Sequence, residues 1–282
     1  MFWKRKRSPE PALPSVRYDD DGEERIVFTL PPARNPQLPS VLVFALPKSG
    51  STLLDRMMRE ASAEAGLTYV SIMEEFFRLG IPDNRFPAST SEIFLDHGYC
   101  YGGFRYFPRR FEIPILGKVK KVLLVRDPRD MLVSHYFSMR TSHPDRGQAL
   151  KTSVAKMPMR DLAQELDIDG YVMKAASGFK TFLGDYQQVC ADHDVRIYRY
   201  EDVVYDKAAW LTEICSYLGW KVRDATIRRI VARHDHIPKE ENESQHIRQV
   251  HPGNYKVKLK PETIAELTRQ FEEPMRVFGY AG

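Results

Sequence analysis

Cysteine is scarce in this chain: Cys100, Cys190 and Cys215 are the only three in 282 residues, an odd number without framework spacing. That argues against a disulfide-stapled scaffold and for reduced thiols in a reducing compartment. No apolar run approaches the length that crosses a bilayer, and the basic tip Met1-Phe2-Trp3-Lys4-Arg5-Lys6-Arg7 lacks the apolar stretch of a secretory signal. A cytoplasmic protein is therefore expected. The tip reads as a solvated tail, with weak contact to an acidic membrane surface as the alternative. Excess charge of one sign is also missing. Lys and Arg total 42 against 38 Asp and Glu, for a net charge of +4, and no basic stripe interleaved with aromatics occurs. Nucleic acid is not an expected partner. Metal-ligand spacing is absent as well; His234-Asp235-His236, the one close histidine pair, reads as a polar helix end. No metal is expected, and neither internal repeats nor a second domain are visible.

What is present suits one large α/β domain: 43% hydrophobic and 28% charged residues are ordinary for a globular chain. Residues 1–24 are polar, with Pro9, Pro11, Pro14 and an acidic cluster, and are expected to be a disordered tail before a domain over 25–282. An edge strand is expected over 25–30, and prolines at 31, 32, 36 and 39 then break the chain. A helix is expected over 51–65 and a strand over 67–72. Residues 81–110, rich in Pro, Gly and aromatics, read as a substrate-facing loop region, and 141–160 as a polar flap. Helices are expected over 169–189, 224–233 and 261–277, with a long loop over 237–258.

The most informative junction is Val41-Leu42-Val43-Phe44-Ala45-Leu46 running into Pro47-Lys48-Ser49-Gly50-Ser51-Thr52-Leu53-Leu54. It reads as buried strand, tight loop and helix start. Backbone N–H groups at such a helix start are unpaired and favour an anion. Gly50 permits a sharp turn and close approach, while Lys48, Ser51 and Thr52 add a cation and hydroxyl donors. The order is unlike that of the nucleoside-triphosphate loop, because Lys48 precedes the only Gly.

A second such junction follows. Val119-Lys120-Lys121-Val122-Leu123-Leu124-Val125 is a strand candidate ending in Arg126-Asp127-Pro128-Arg129-Asp130, then a helix-spaced segment with Ser134. Parallel sheets bind ligands just beyond their carboxyl ends. Two strand ends, each with a cation and a hydroxyl, suggest a ligand with two separated anionic groups.

The loop at residues 47–54 resembles the 5′-phosphosulfate loop of sulfotransferases that use 3′-phosphoadenosine 5′-phosphosulfate (PAPS). Residues 126–134 resemble that family's 3′-phosphate motif. Val195-Arg196-Ile197-Tyr198-Arg199-Tyr200-Glu201-Asp202 looks like its strand ending in Tyr-Glu-Asp, whose Tyr lies near the adenine. Arg248, Gly253, Tyr255 and Lys256 match its C-terminal pattern. The resemblance spans residues 41–260. It implies a single-domain P-loop-like sulfotransferase fold, α/β with a central parallel sheet flanked by helices. It also implies binding of PAPS and of its product 3′-phosphoadenosine 5′-phosphate (PAP) by Lys48, Ser49, Gly50, Ser51, Thr52, Leu53, Arg126, Ser134, Tyr200 and Arg248. No metal enters.

The chain departs from the family at the Lys-Thr-His-Leu-Pro segment, whose His is the base in cytosolic members. Counting back from Arg126, Tyr106 of Phe104-Arg105-Tyr106-Phe107-Pro108 stands there instead, and Arg248-Gln249-Val250 replaces Arg-Lys-Gly. The base is thus open among His97, the Glu74–Glu75 pair, Tyr106, Glu112 behind them, or another group, with Lys48 expected to stabilise the leaving phosphate. Histidine ordinarily titrates near neutral pH, and the two carboxylates begin an apolar helix. The acceptor is expected to be a hydroxyl, or an amine, on a small molecule, carbohydrate or lipid. The rival readings are an ATP-dependent kinase-like phosphotransferase and a nucleotide-binding homologue without catalysis.

Overall fold

A computed structural model describes residues 13–20, 22–141, 156–235 and 250–280 of the chain. Its framework is a five-stranded parallel sheet built from β3 (Val41–Ala45), β4 (Thr68–Val70), β5 (Tyr99–Phe104), β6 (Lys120–Val125) and β7 (Arg196–Arg199). The strand order is β4-β5-β3-β6-β7, every pairing parallel.

Successive strand residues point to opposite faces, and here both faces are covered. Val41, Val43, Ala45, Val122 and Leu124 pack on one side with Leu54, Met57, Met58 and Ala61 of α1 (Ser51–Glu64). Leu42, Phe44, Leu123 and Val125 pack on the other with Met131, Leu132 and Val133 of α3 (Pro128–Thr141) and with Tyr186 of α5 (Ile168–Asp192). That is why β3, β5 and β6 are near-continuously apolar. Burying each such side chain contributes roughly 1.5–3 kcal/mol.

The helices after the adjacent strands β3 and β6 therefore leave to opposite faces. A crevice opens between the two carboxyl ends, at the place where open α/β sheets take ligands. α2 (Ile72–Leu79) follows β4, and α4 (Lys156–Glu165) precedes α5. The short α6 (Tyr200–Val203) follows β7, and α7 (Lys207–Leu218) and α8 (Asp224–His234) come next. Beyond residues 236–249, α9 (Tyr255–Lys258), α10 (Pro261–Gln270) and α11 (Glu272–Val277) close the fold.

Several expectations need correction. The tail expected over 1–24 is folded in its latter part, since β1 (Ser15–Asp20) pairs antiparallel with β2 (Glu23–Thr29) and buries Val16 and Tyr18. Alternation within a short strand was masked there by flanking acids and prolines. The region 81–110 holds β5, a fully buried strand paired with β3. Five of its aromatics are core: Phe86, Phe94, Tyr99, Tyr101 and Phe104 are all buried. The strand was hidden by Gly102 and Gly103, which suggest a loop. In fact a Cβ at Gly102 would lie 2.2 Å from the Tyr69 hydroxyl, and one at Gly103 1.9 Å from Ser71 Oγ. The final helix divides at Phe271 into α10 and α11. The expected flap is helical from Lys156 onward, and 142–155 lie outside the described residues.

Candidate functional site

The first strand end makes a loop whose polar groups divide cleanly into inward and outward sets. Leu46 continues the ladder by donating to Leu124 O at 3.0 Å. Ser49 is fully buried; its N–H reaches Leu46 O at 3.2 Å, and its hydroxyl lies 2.6 Å from Leu46 O and 3.2 Å from Leu124 O. The Ser49 side chain thus shapes the turn from within. Lys48 adopts φ 64° and Gly50 φ 91°, both left-handed. Gly50 N-caps α1 without any side-chain cap, and no acid occupies the first turn. The N–H groups of Ser51, Thr52 and Leu53 have no intrahelical acceptor, and the helix dipole adds a positive field.

Gly50 is required for a second reason. A Cβ there would lie 3.1 Å from the Tyr200 ring. Gly50→Ala should cost about 1–2 kcal/mol from the left-handed backbone alone, with the ring contact added, as read from urea denaturation midpoints. A cost below a few tenths of that would show that the turn is free to relax.

The second strand end supplies Arg126, buried between loop and helix. Its Nη1 donates to Lys48 O at 3.2 Å, its Nη2 lies 3.4 Å from Asp130 Oδ2, and its guanidinium sits 4.5 Å from the Tyr200 ring centroid. Its Nε is buried without a hydrogen-bond partner, an arrangement that suits a site shaped for an anion. Ser134 is half-buried on α3, eight residues on. Tyr200 caps β7; burial pushes its phenol up to about 12, and its hydroxyl donates to Val250 O at 2.8 Å.

The charged residues between Arg126 and Ser134 hold the C-terminal segment. Asp130, fully buried, accepts from the Gly253 amide at 2.7 Å and the Tyr255 amide at 2.9 Å. Asp127 pairs with Arg129 at 2.7 Å, and Arg129 covers the Tyr255 ring at 4.2 Å and reaches Thr268. Two elements of the C-terminal pattern, Gly253 and Tyr255, thereby lie beside Arg126. Arg248 and Gln249 lie outside the described residues.

Two groups outside the residues expected to hold the donor join the loop from the β5 side. Arg105, just past β5, donates from Nη1 to the Ser51 hydroxyl and from Nη2 to Asp55 Oδ2 at 3.3 Å. Asp55, one turn into α1, accepts from the Gly103 amide at 3.0 Å and the Tyr69 hydroxyl at 3.2 Å. Burial raises its carboxyl above the ordinary value, opposed by Arg105 and these two donors. A signal existed: an acid one turn after the Ser51 and Thr52 hydroxyls at a helix start.

A raised carboxyl means that the folded state holds its proton more tightly than the unfolded chain. The stabilisation linked to that proton is fully present below the ordinary value and is lost as pH rises through the raised one. Asp55→Asn removes this linkage, so the variant should gain stability relative to the parent between pH 3 and 7. Parallel denaturation curves in which the difference stays flat across that range would refute the buried, raised carboxyl.

The candidate bases fare differently. His97 precedes β5, and Pro39 pairs with it before β3 begins. It thus lies at the amino edge of the sheet, about 20 Å from the carboxyl edge for a six-residue strand, with its ring on Asp96 at 3.0 Å. The expectation that His97 serves as base is corrected on that ground. Glu75 begins α2 at the proper edge, but its carboxylate is held by Arg78 at 2.8 Å, and Glu74 is held by Arg59 at 2.9 Å. Tyr106 stacks on Phe182 at 6.0 Å; burial and the neighbouring Asp83 hold its phenol well above the ordinary value. It is a poor proton acceptor.

The sequence profile of the sulfotransferase domain matches residues 112–279, more than half of the chain. This chain belongs to the sulfotransferase domain family. A comparison with curated protein sequences gives no match. Among solved structures, the fold is similar to that of mouse sulfotransferase SULT7A1 complexed with PAP, at 16% identity and a TM-score of 0.57, covering 86% of this chain and 90% of that one. It is also similar to retinol dehydratase in complex with androsterone and PAP, at 15% identity and a TM-score of 0.55, covering 86% and 83%. In this sulfotransferase domain the profile takes in β6, the Arg126 motif, β7 and the C-terminal helices. The Lys48 loop lies before its matched range. Among the described residues, no helix is long and apolar enough to cross a membrane.

Proposed function

We propose that this sulfotransferase domain binds PAPS and moves its sulfuryl group to a hydroxyl, or an amine, on a small-molecule, carbohydrate or lipid acceptor. The observation that carries the reading is the pair of adjacent strand ends, with the uncapped Lys48 loop after β3 and the buried Arg126 after β6, tied by Arg126 Nη1 to Lys48 O at 3.2 Å. The loop suits a 5′-phosphate: Lys48, Gly50, Ser51, Thr52 and Leu53 offer a cation, backbone N–H groups and hydroxyls. Arg126, whose buried Nε lacks a partner, suits the 3′-phosphate, with Ser134 and Arg248 as its companions and Tyr200 as the wall between subsites. The PAP named with the mouse and retinol dehydratase structures supports the same ligand class.

Bound there, PAPS supplies an activated sulfuryl group for transfer. The protein's part is positioning and electrostatic stabilisation. Lys48 neutralises charge on the departing phosphate, and the loop N–H groups share it.

Titration calorimetry without metal tests the donor site: PAP should bind with micromolar affinity, and AMP and ATP much more weakly. Equal affinity for ATP would favour the phosphotransferase reading, as would a magnesium requirement. The phenol of Tyr106, held protonated where a base is expected, favours a second reading, a homologue that binds the nucleotide without transferring. Label passing from PAPS to any member of an acceptor panel excludes it.

A further inference from the structure

Three strand ends meet at this site, and the third carries a cation that the donor reading leaves without a task. β5 lies beside β3 on the side away from β6, so Arg105 and Arg126 flank the Lys48 loop from its two sides. Arg105 touches the loop itself through the Ser51 hydroxyl. We propose that Arg105 is a binding residue for the 5′-phosphate end of the donor nucleotide and that Asp55 is its positioning residue. The proposal rests on the PAPS reading above.

An exposed surface ion pair would be the plain alternative, and such pairs contribute little. The geometry differs from that in two respects. The Asp55 side chain is 16% exposed while that of Arg105 is 39% exposed, so the carboxylate is fixed inside and the guanidinium reaches outward. Asp55 is also locked from three elements, by the Gly103 amide of β5, the Tyr69 hydroxyl of β4 and its own place on α1. Glu74 of α2, Tyr186 of α5 and the buried Cys100 of β5 are the other titratable groups around it, and Arg59 of α1 faces Tyr69.

Room for this anchor is bought by the paired glycines of β5, since a side chain at either would strike Tyr69 or Ser71. Arg105 presents five N–H groups in a rigid fork. Ser51 and Asp55 occupy two of its nitrogens and set its direction, which leaves donors for an anion at the same loop. A guanidinium so held loses little freedom on binding.

The test compares PAP with adenosine 3′-phosphate, which lacks the 5′ group, by calorimetry on the full chain. The affinity ratio between the two isolates what the 5′-phosphate contributes. Arg105→Ala should shrink that ratio by about 10-fold or more, the range for a hydrogen bond to a charged group, and leave adenosine 3′-phosphate binding unchanged. Arg105→Lys should restore part of it. Asp55→Asn should act in the same direction, and combining it with Arg105→Ala should add no further loss, as expected of coupled residues.

An unchanged ratio in Arg105→Ala, or equal weakening of both ligands, overturns the role of Arg105. Full additivity of the two substitutions overturns the positioning role of Asp55. Should Asp55→Asn fail to fold, Asp55→Glu takes its place in the cycle. A parent protein with no preference for PAP over AMP instead fails the donor reading itself, and this proposal with it.

Discussion

Lys48→Ala should lower sulfuryl transfer by roughly 10²–10³-fold, the usual loss when one preorganised donor to developing charge is removed. The same variant should keep its fold. Lys48 serves the architecture through its backbone, whose carbonyl receives Arg126 Nη1, and alanine retains that carbonyl. Its left-handed φ of 64° is disfavoured for lysine and alanine alike, so the substitution adds no new backbone cost. Turnover with PAPS should therefore collapse while the thermal midpoint stays within a degree or two. PAP affinity should fall less than the rate, because the charge that Lys48 meets grows as the sulfuryl group departs. Unchanged turnover would remove Lys48 from the chemistry.

Arg126→Ala should weaken PAP binding by about 10- to 100-fold, from the loss of charged hydrogen bonds at the 3′-phosphate. AMP, which lacks that phosphate, should be nearly indifferent to the change. A stability cost accompanies it, because a buried charge loses its partner, worth about 3–5 kcal/mol when nothing compensates. Here Asp130 keeps the amides of Gly253 and Tyr255, so the cost should fall below that range. Arg126→Lys should rescue the fold better than the affinity, since a point charge cannot repeat the fork that meets Lys48 O, Asp130 and the Tyr200 ring together. If PAP and AMP weaken in equal measure, Arg126 supports the fold without reading the 3′ end.

The Asp127–Arg129–Asp130 run illustrates how far motif reading goes. Its spacing after Arg126 is visible in the sequence, but its purpose is not. Asp130 accepts from residues more than a hundred positions away, and Arg129 covers Tyr255. A charge cluster in a sequence looks solvated. Only the docked C-terminal segment turns it into a buried polar network, in which Asp130 meets two backbone amides and Asp127 meets Arg129.

The opposite error occurred at β5. Glycine and aromatics in succession look like a loop, yet Tyr99–Phe104 form a core strand. That strand brings Arg105 to Asp55 on α1. His97 shows the same blindness to direction. A histidine near a glycine-rich segment is suggestive by type, yet it sits before the strand, and the ligand edge lies after it.

What the sequence determined by itself is the part encoded locally. Short apolar runs commit β3 and β6 to a two-sided parallel sheet. Gly50 and the hydroxyls after it commit the next residues to an uncapped helix start, and the arginine after Val125 lies at a strand end wherever that strand pairs. Tertiary structure decided which strand ends are neighbours, which face each helix covers, and therefore which distant charges meet. Those outcomes depend on contacts between residues far apart in the chain, where loop closure and packing choose among pairings that local propensity leaves equal. Arg126 could be read from its neighbours; Arg105 and Asp55 acquire meaning only when β5 lies against β3.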